Sequence, residues 1–292
     1  MEKIWTPKDG TIDILKDKDK NYVEVKSKMG YPAIYPLNEV KIEKPIEAVL
    51  MDLDGTSVKS EEFWIWIIKS TIAKLMDKPA FELEDCDIPH VSGHSVSEHL
   101  SYCINKYCPE KTVEEARGIY YEITDYEMEE ILAGRGKEGA FTPAEGLKDF
   151  LLELKSRDIK IGLVTSGLYQ KAMPEIISAF NTLKMGNPVD FYDAIITAGY
   201  PLGKGRCGTL GELAPKPHPW LYAETMRVGL GIPFERRHHV IGIEDSSAGV
   251  VSILLSGVAP IGLTDGNIIK AGMESLCTHM VDKLGDIINI ID

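Results

Sequence analysis

The sequence reads as an α/β protein built on an open parallel sheet, and three observations carry that reading. Short apolar runs recur and end in polar or acidic residues: Ala48–Asp52, Lys160–Val164 before Thr165-Ser166-Gly167, Val240–Ile243 before Glu244-Asp245, and Pro260–Thr264. Near-continuous hydrophobicity, rather than alternation, is what a parallel strand buried on both faces requires. Segments of helical period separate these runs, as an α/β core demands. The interval from 61 to 132 carries helical spacing and no strand signal, which is too long for a simple crossover and predicts an inserted helical unit.

Taken in order, residues 1–45 form a small β-rich extension, with a mixed-charge turn at Lys16–Asn21, a short strand at Tyr22–Val25, and Pro32, Pro36 and Pro45 as punctuation. A disordered arm is the alternative reading, and no chemistry is expected of it. After Ala48–Asp52, Glu61–Met76 places Phe63, Trp66, Ile67, Ile68, Ile72, Leu75 and Met76 at helical spacing. Ser95-x-x-Glu98 and Thr112-x-x-Glu115 have the form of capping boxes opening helices toward Tyr107 and Leu132. The run Gly134-Arg135-Gly136-Lys137-Glu138-Gly139 suits a hinge. The core resumes with a helix over 143–158, with Pro143 near its first turn and Leu147, Phe150, Leu151 and Leu154 on one face. A second strand at 160–164, a helix over 168–181 and a third strand over 191–198 follow. A Gly-rich loop then carries Lys204 and Arg206, a candidate phosphate nest without the ending of a nucleotide P-loop. A helix opens at Lys216-Pro217 and runs to Gly229, strands form at 240–243 and 260–264, and the segment from Met280 completes the core.

Composition narrows the function classes. Of 292 residues, 44% are hydrophobic and 26% charged, as in an ordinary globular protein. A net charge of −13 argues against general affinity for nucleic acid or an anionic membrane surface. With no bilayer-length apolar stretch and no basic-apolar leader at Met1, a cytoplasmic location is expected. Five cysteines without a C-x-x-C spacing suit reduced thiols, buried or half-buried, and argue against a zinc site.

The candidate chemistry sits at the strand ends. Asp52 and Asp54, at i and i+2 of an extended segment, point to one side and can address one substrate. Asp52-Leu53-Asp54-Gly55-Thr56 resembles the first signature of the haloacid dehalogenase-like phosphohydrolases. Thr165 or Ser166, ahead of Gly167, resembles the second, with the alignment favouring Thr165. Lys216-Pro217 resembles the third, and Glu244-Asp245 the fourth. The four lie in the family's order, each at a strand end or helix start, over about residues 46–290.

The resemblance implies a Rossmann-like parallel-sheet core (46–57 and 140–292), an all-helical cap (58–139) and the extension (1–45), which is unusual for the family. It implies Asp52 as phosphate-accepting nucleophile, Asp54 as general acid/base, Lys216 as stabiliser of the aspartate and phosphoryl charge, and Thr165, Ser166 and Gly167 as phosphate binders. Mg²⁺ is implied as cofactor, held by Asp52, the backbone carbonyl of Asp54 and Asp245, with Glu244 as a further candidate ligand. The implied activity is hydrolysis of a small phosphorylated metabolite, a sugar phosphate or similar monoester, by a monomer or homodimer. A phosphosugar mutase of the β-phosphoglucomutase type and a non-catalytic phosphometabolite binder are the alternatives. In the mutases a His about twelve residues beyond the nucleophile reaches the acid/base, and Trp64 stands there in this chain. His218 is set aside as a surface residue.

Overall fold

The computed structural model describes residues 1–26, 32–91, 96–137, 139–199 and 213–292. The Ser95–Glu98 capping box, Lys204, Arg206 and Cys207 lie outside the described residues or side chains, as does Glu138 of the hinge run.

Strands β1 (Glu2–Trp5), β2 (Ile12–Asp17), β3 (Lys20–Val25) and β4 (Ala33–Pro36) form an antiparallel sheet in that order. Here the β-rich reading holds and the arm reading does not. Ile12, Val23 and Val25 are buried in one apolar cluster with Val250, Val251, Leu255, Ile268, Ala271 and Met273 of the core, so ordering the extension removes apolar surface from water.

Strand β5 (Ala48–Asp52) is buried along its whole length. After it, β6 (Val58–Lys59) pairs antiparallel with β7 (Thr142–Pro143), Val58 opposite Pro143. Between these two strands lie α1 (Glu61–Leu75), α2 (Ile88–Val91), α3 (Val96–Tyr107) and α4 (Val113–Leu132), with no strand among the described residues. α4 opens on the expected capping box: Thr112 Oγ1 accepts from the Glu115 N–H, and the Glu115 carboxylate accepts from the Thr112 N–H.

α5 (Leu147–Ser156) buries the four expected apolar residues but starts later than the sequence pattern suggests. Pro143 is not in its first turn, because Thr142 and Pro143 pair with the β6 strand and Gly146 takes a left-handed φ of +74° just before the helix. Then come β8 (Lys160–Val164), α6 (Tyr169–Leu183), α7 (Pro188–Phe191) and β9 (Ala194–Ile196). The third strand is shorter than expected, since Asn187 Oδ1 caps the Val189 N–H and draws Pro188–Phe191 into a helical turn. α8 (Trp220–Glu224) is followed by a wide turn to Gly229, and then by β10 (Val240–Glu244), α9 (Ser247–Leu255), β11 (Ala259–Leu263), α10 (Ile268–Ala271), β12 (His279–Val281) and α11 (Ile288–Ile291).

The six core strands run parallel in the order β12-β11-β10-β5-β8-β9. Successive strands move from β5 through β8 to β9 and then restart on the opposite side at β10. The order therefore reverses between β5 and β10, and the crevice at that reversal is where an open α/β sheet binds ligands. Register completes the placement: Asp52 lies opposite Val164 and Met51 opposite Ile243. The residues following Val164 and Ile243, Thr165 and Glu244, therefore flank Asp52.

Candidate active site

At the end of β5 the chain turns at Gly55, with φ +91°. A side chain at Gly55 would collide with the Asp245 carboxylate, so glycine lets the loop and Asp245 share one space. The buried Ser57 hydroxyl donates to the Asp52 carbonyl at 2.5 Å and the Leu53 N–H to the Val164 carbonyl at 3.2 Å, pinning the loop between its neighbours.

Around the strand end two charged groups assemble. In the deeper one, the Lys216 ammonium donates to Asp52 Oδ1 and to Glu244 Oε1, the latter at 2.5 Å. Glu244 is wholly buried and its oxygens are filled: Tyr222 Oη donates to Oε1 at 2.8 Å, and the Ser246 N–H and hydroxyl donate to Oε2 at 3.2 and 2.9 Å. Thr56 Oγ1 donates to Asp245 Oδ1 at 3.1 Å. Oxygens of Asp52, Glu244 and Asp245 all lie within 4.8 Å of one another. Burial, with Glu244 next, pushes Asp52 well above the usual carboxylate range despite Lys216. The same two causes raise Asp245 to about 7 against the Thr56 bond and Lys59. Three crowded carboxylates with one ammonium are short of positive charge, and hard oxygen donors in this grouping fit a Mg²⁺ ion.

The second group surrounds Asp54. Its Oδ2 accepts from Thr165 Oγ1 at 3.2 Å, and its Oδ1 from Lys171 Nζ and Ser60 Oγ, both at 3.3 Å. Lys171 stands in the first turn of α6, with its ammonium 4.6 Å from the Trp64 ring centre and 3.7 Å from Glu175 Oε1. Glu175 is wholly buried. Burial, and then the charge of Asp54, raise Glu175 well above its ordinary value. Burial also pushes Asp54 upward, but the charge of Lys171 and its hydrogen bond outweigh it and hold Asp54 below the usual range. The side chains of Asp54 and Lys171 are 35% and 38% exposed, against 6% for Asp52 and 7% for Lys216, so an arriving molecule meets the Asp54 group first.

The structure thus brings Asp52, Asp54, Thr165, Lys216, Glu244 and Asp245 to one crevice. Gly167 donates its N–H to Thr165 Oγ1 at 2.9 Å, and Ser166 Oγ accepts from the Lys216 N–H at 3.1 Å, so both residues shape the Thr165 turn and the Lys216 loop. Lys171, Glu175, Thr56, Ser60 and Tyr222 escape sequence reasoning. A signal existed for two of them, since Lys171 and Glu175, at i and i+4, are the two charged residues of α6. His218 is half-buried and bonded to Tyr35 rather than free at the surface. Cys103 and Cys108 are buried and Cys277 half-buried, whereas Cys86 is exposed, against expectation. Cys86 groups with Glu84 and Asp87, but Lys106 already donates to Glu84 and Asp87, at 2.8 and 2.6 Å.

The sequence pattern of the haloacid dehalogenase-like hydrolases matches residues 49–197, just over half the chain. The chain belongs to that family. The match spans the two aspartates, the helical insertion and the Thr165 turn, and the geometry adds Lys216, Glu244 and Asp245 from beyond it. Solved structures share the fold of this haloacid dehalogenase-like hydrolase. CbbY from Rhodobacter sphaeroides, solved in complex with phosphate, is 19% identical, with 83% of this chain and 96% of that one covered at a TM-score of 0.56. A predicted phosphoglycolate phosphatase from Haemophilus somnus is 18% identical, with 85% and 99% covered at 0.63. A protein provisionally named as a β-phosphoglucomutase, from Thermotoga maritima, is 20% identical, with 84% and 98% covered at 0.58. Among the described residues no helix is long and apolar enough to cross a membrane.

Proposed function

We propose that this hydrolase is a Mg²⁺-dependent phosphatase that removes phosphate from a small phosphorylated metabolite through an aspartyl-phosphate on Asp52. One observation carries the reading: two carboxylates at one strand end are given different environments. Asp52 is buried against Lys216, and Asp54 is half-exposed against Thr165 and Lys171. Burial beside Lys216 suits a nucleophile that bonds to phosphorus, and partial exposure suits a group that passes protons to the leaving oxygen and from water.

Asp52, Asp245 and the Asp54 carbonyl would hold the ion, which supplies charge neutralisation when an anionic ester approaches an anionic nucleophile. Glu244, its oxygens occupied, serves as the tether of Lys216. In the first step an Asp52 oxygen attacks phosphorus, the phosphorus–ester oxygen bond breaks, and the departing oxygen takes a proton from Asp54, which Lys171 keeps ionised in the free site and which takes that proton up from water as the anionic ester arrives. In the second, Asp54 takes a proton from water, the water oxygen attacks phosphorus, and the acyl-phosphate bond breaks to return Asp52 and free phosphate. Lys216 donates to Asp52 throughout and spreads the charge that develops on the phosphoryl group. Residues 58–139 act as a cap that closes over the crevice and excludes water. The mutase alternative needs a titratable cap group at Asp54. Trp64 offers only an N–H donor, and the cation on Asp54 comes from α6 of the core.

The test is hydrolysis of a panel of phosphorylated metabolites with Mg²⁺, comparing the wild type with Asp52→Asn. The variant should fold normally and lose at least about a thousandfold in turnover. Turnover near wild type would remove Asp52 as nucleophile. Isomerisation of β-glucose 1-phosphate much faster than phosphate release, with a trace of bisphosphate present, would favour the mutase.

A further inference from the structure

We infer that the N-terminal sheet braces the loop that carries Lys216, with Tyr35 and His218 as positioning residues for the Lys216 ammonium; this rests on the role given to Lys216 above. The family pattern begins at residue 49, so nothing in the match accounts for this sheet. Its contacts nevertheless converge on the catalytic half of the core. Tyr35, in β4, places its hydroxyl 2.8 Å from His218 Nδ1, and its ring meets the His218 and Trp220 rings edge-on at 5.9 and 6.0 Å. Tyr35 is thereby wedged into the turn that has Lys216 at one end and α8 at the other.

His218 is held by its backbone as well. Its carbonyl accepts from Ser252 Oγ of α9 at 2.6 Å, and its N–H donates to the Pro215 carbonyl at 3.1 Å. The Lys216 N–H is tied to Ser166, so Tyr35, Ser252 and Ser166 approach one short turn from three elements. A lysine stem has four flexible methylenes, and its ammonium reaches Asp52 and Glu244 together only if its backbone is fixed. The same sheet meets the start of α9, where Asp9 Oδ2 accepts from Ser247 Oγ at 3.2 Å and Asp9 Oδ1 from the Thr11 N–H and hydroxyl at 3.1 and 2.9 Å. The Lys8 N–H donates to the Ala271 carbonyl at 3.0 Å. The apolar cluster of Ile12, Val23 and Val25 on α9 keeps the sheet from sliding.

The experiment compares full-length wild type with Tyr35→Phe, His218→Leu and His218→Asn, the last retaining a hydrogen-bonding atom near the place of Nδ1. Two measurements are made: amide hydrogen exchange over residues 213–221, and kcat with KM on the best ester of the panel. Losing one neutral hydrogen bond corresponds to about a fivefold change. Exchange at the 216 and 218 amides should rise about fivefold in Tyr35→Phe and His218→Leu and return toward wild type in His218→Asn. kcat should follow the same pattern with KM nearly constant, and exchange in β2 and β3 should stay unchanged. Unaltered exchange over 213–221 in Tyr35→Phe would overturn the inference, as would a kcat loss that follows melting temperature and that His218→Asn does not restore. If the wild type hydrolyses no ester, the phosphatase reading fails, and the exchange measurement decides the brace by itself.

Discussion

In chelator the protein's stability should fall as pH rises from about 4 to about 7, and Asp245 is the residue that should cause it. In the unfolded chain Asp245 ionises near its ordinary value. In the native protein, burial and the neighbouring Glu244 hold its proton until about 7. The native state therefore binds more protons across that window. The contribution of Asp245 is fully present below the unfolded value and is lost as pH rises through the folded one. A rise from 3.8 to about 7 corresponds to about 4 kcal/mol at 1.36 kcal/mol per unit. That is an upper figure, because Asp52 and Asp245 share the same crowding. Spread over a chain of this size, it shifts the melting temperature by about 5–10 °C. The assay is thermal unfolding in chelator at pH 5 and 7.5 for the wild type and Asp245→Asn, repeated with Mg²⁺. The variant should lose much of the pH difference, since an amide has no proton to give up. Mg²⁺ should stabilise the wild type more at pH 7.5 than at pH 5 and should stabilise the variant far less. Equal pH dependence in the two proteins, or equal stabilisation of both by Mg²⁺, would refute the reasoning.

Lys171→Met should lower kcat about tenfold or more, because the Asp54 carboxylate loses the cation 3.3 Å from it; unchanged kinetics would remove Lys171 from the site. Glu175→Gln should unfold in urea within about 0.5 kcal/mol of wild type, since burial and the charge of Asp54 favour the neutral acid whose shape the amide shares, whereas Glu175→Ala should cost about 3 kcal/mol; a large loss in Glu175→Gln would mean that Glu175 is ionised. In the helical insertion, wholly buried Asp87 accepts from Lys106, Tyr102, Tyr107 and the Glu84 N–H. Burial opposes its ionisation, but these donors outweigh it and hold Asp87 well below the usual carboxylate range, so Asp87→Asn should cost about 2–3 kcal/mol at pH 7. That contribution is present above the unfolded value and is lost as pH falls, so urea unfolding should show the gap narrowing below about pH 4; a gap independent of pH would exclude the charge as its cause. Protease nicking between Gly134 and Lys137 should slow when vanadate and Mg²⁺ are added together, and nicking unaffected by them would argue against a closing cap.

Local signals in the chain were enough to specify the four central strands of the parallel sheet, the helical insertion and the carboxylate-bearing strand ends. A strand buried on both faces must be apolar throughout, so β5, β8, β10 and β11 announce themselves; Asp52, Asp54, Thr165 and Glu244-Asp245 are legible because they stand at or just past strand ends, while Lys216, expected to open a helix, lies in the turn before α8. Short elements whose form depends on a partner were less readable. β12 has three residues and a half-exposed edge, too little for periodicity, and Pro143 looks like a helix start until Val58 pairs with it. Only the tertiary structure decided that Glu244 spends its oxygens on Lys216, Tyr222 and Ser246, that Lys171 and Glu175 set the environment of Asp54, and that Tyr35 reaches His218 across 183 residues. The reason is physical: periodicity and capping act over one or two helical turns, whereas burial, proton affinity and hydrogen-bond partnership depend on what the fold brings alongside, and no local pattern encodes that.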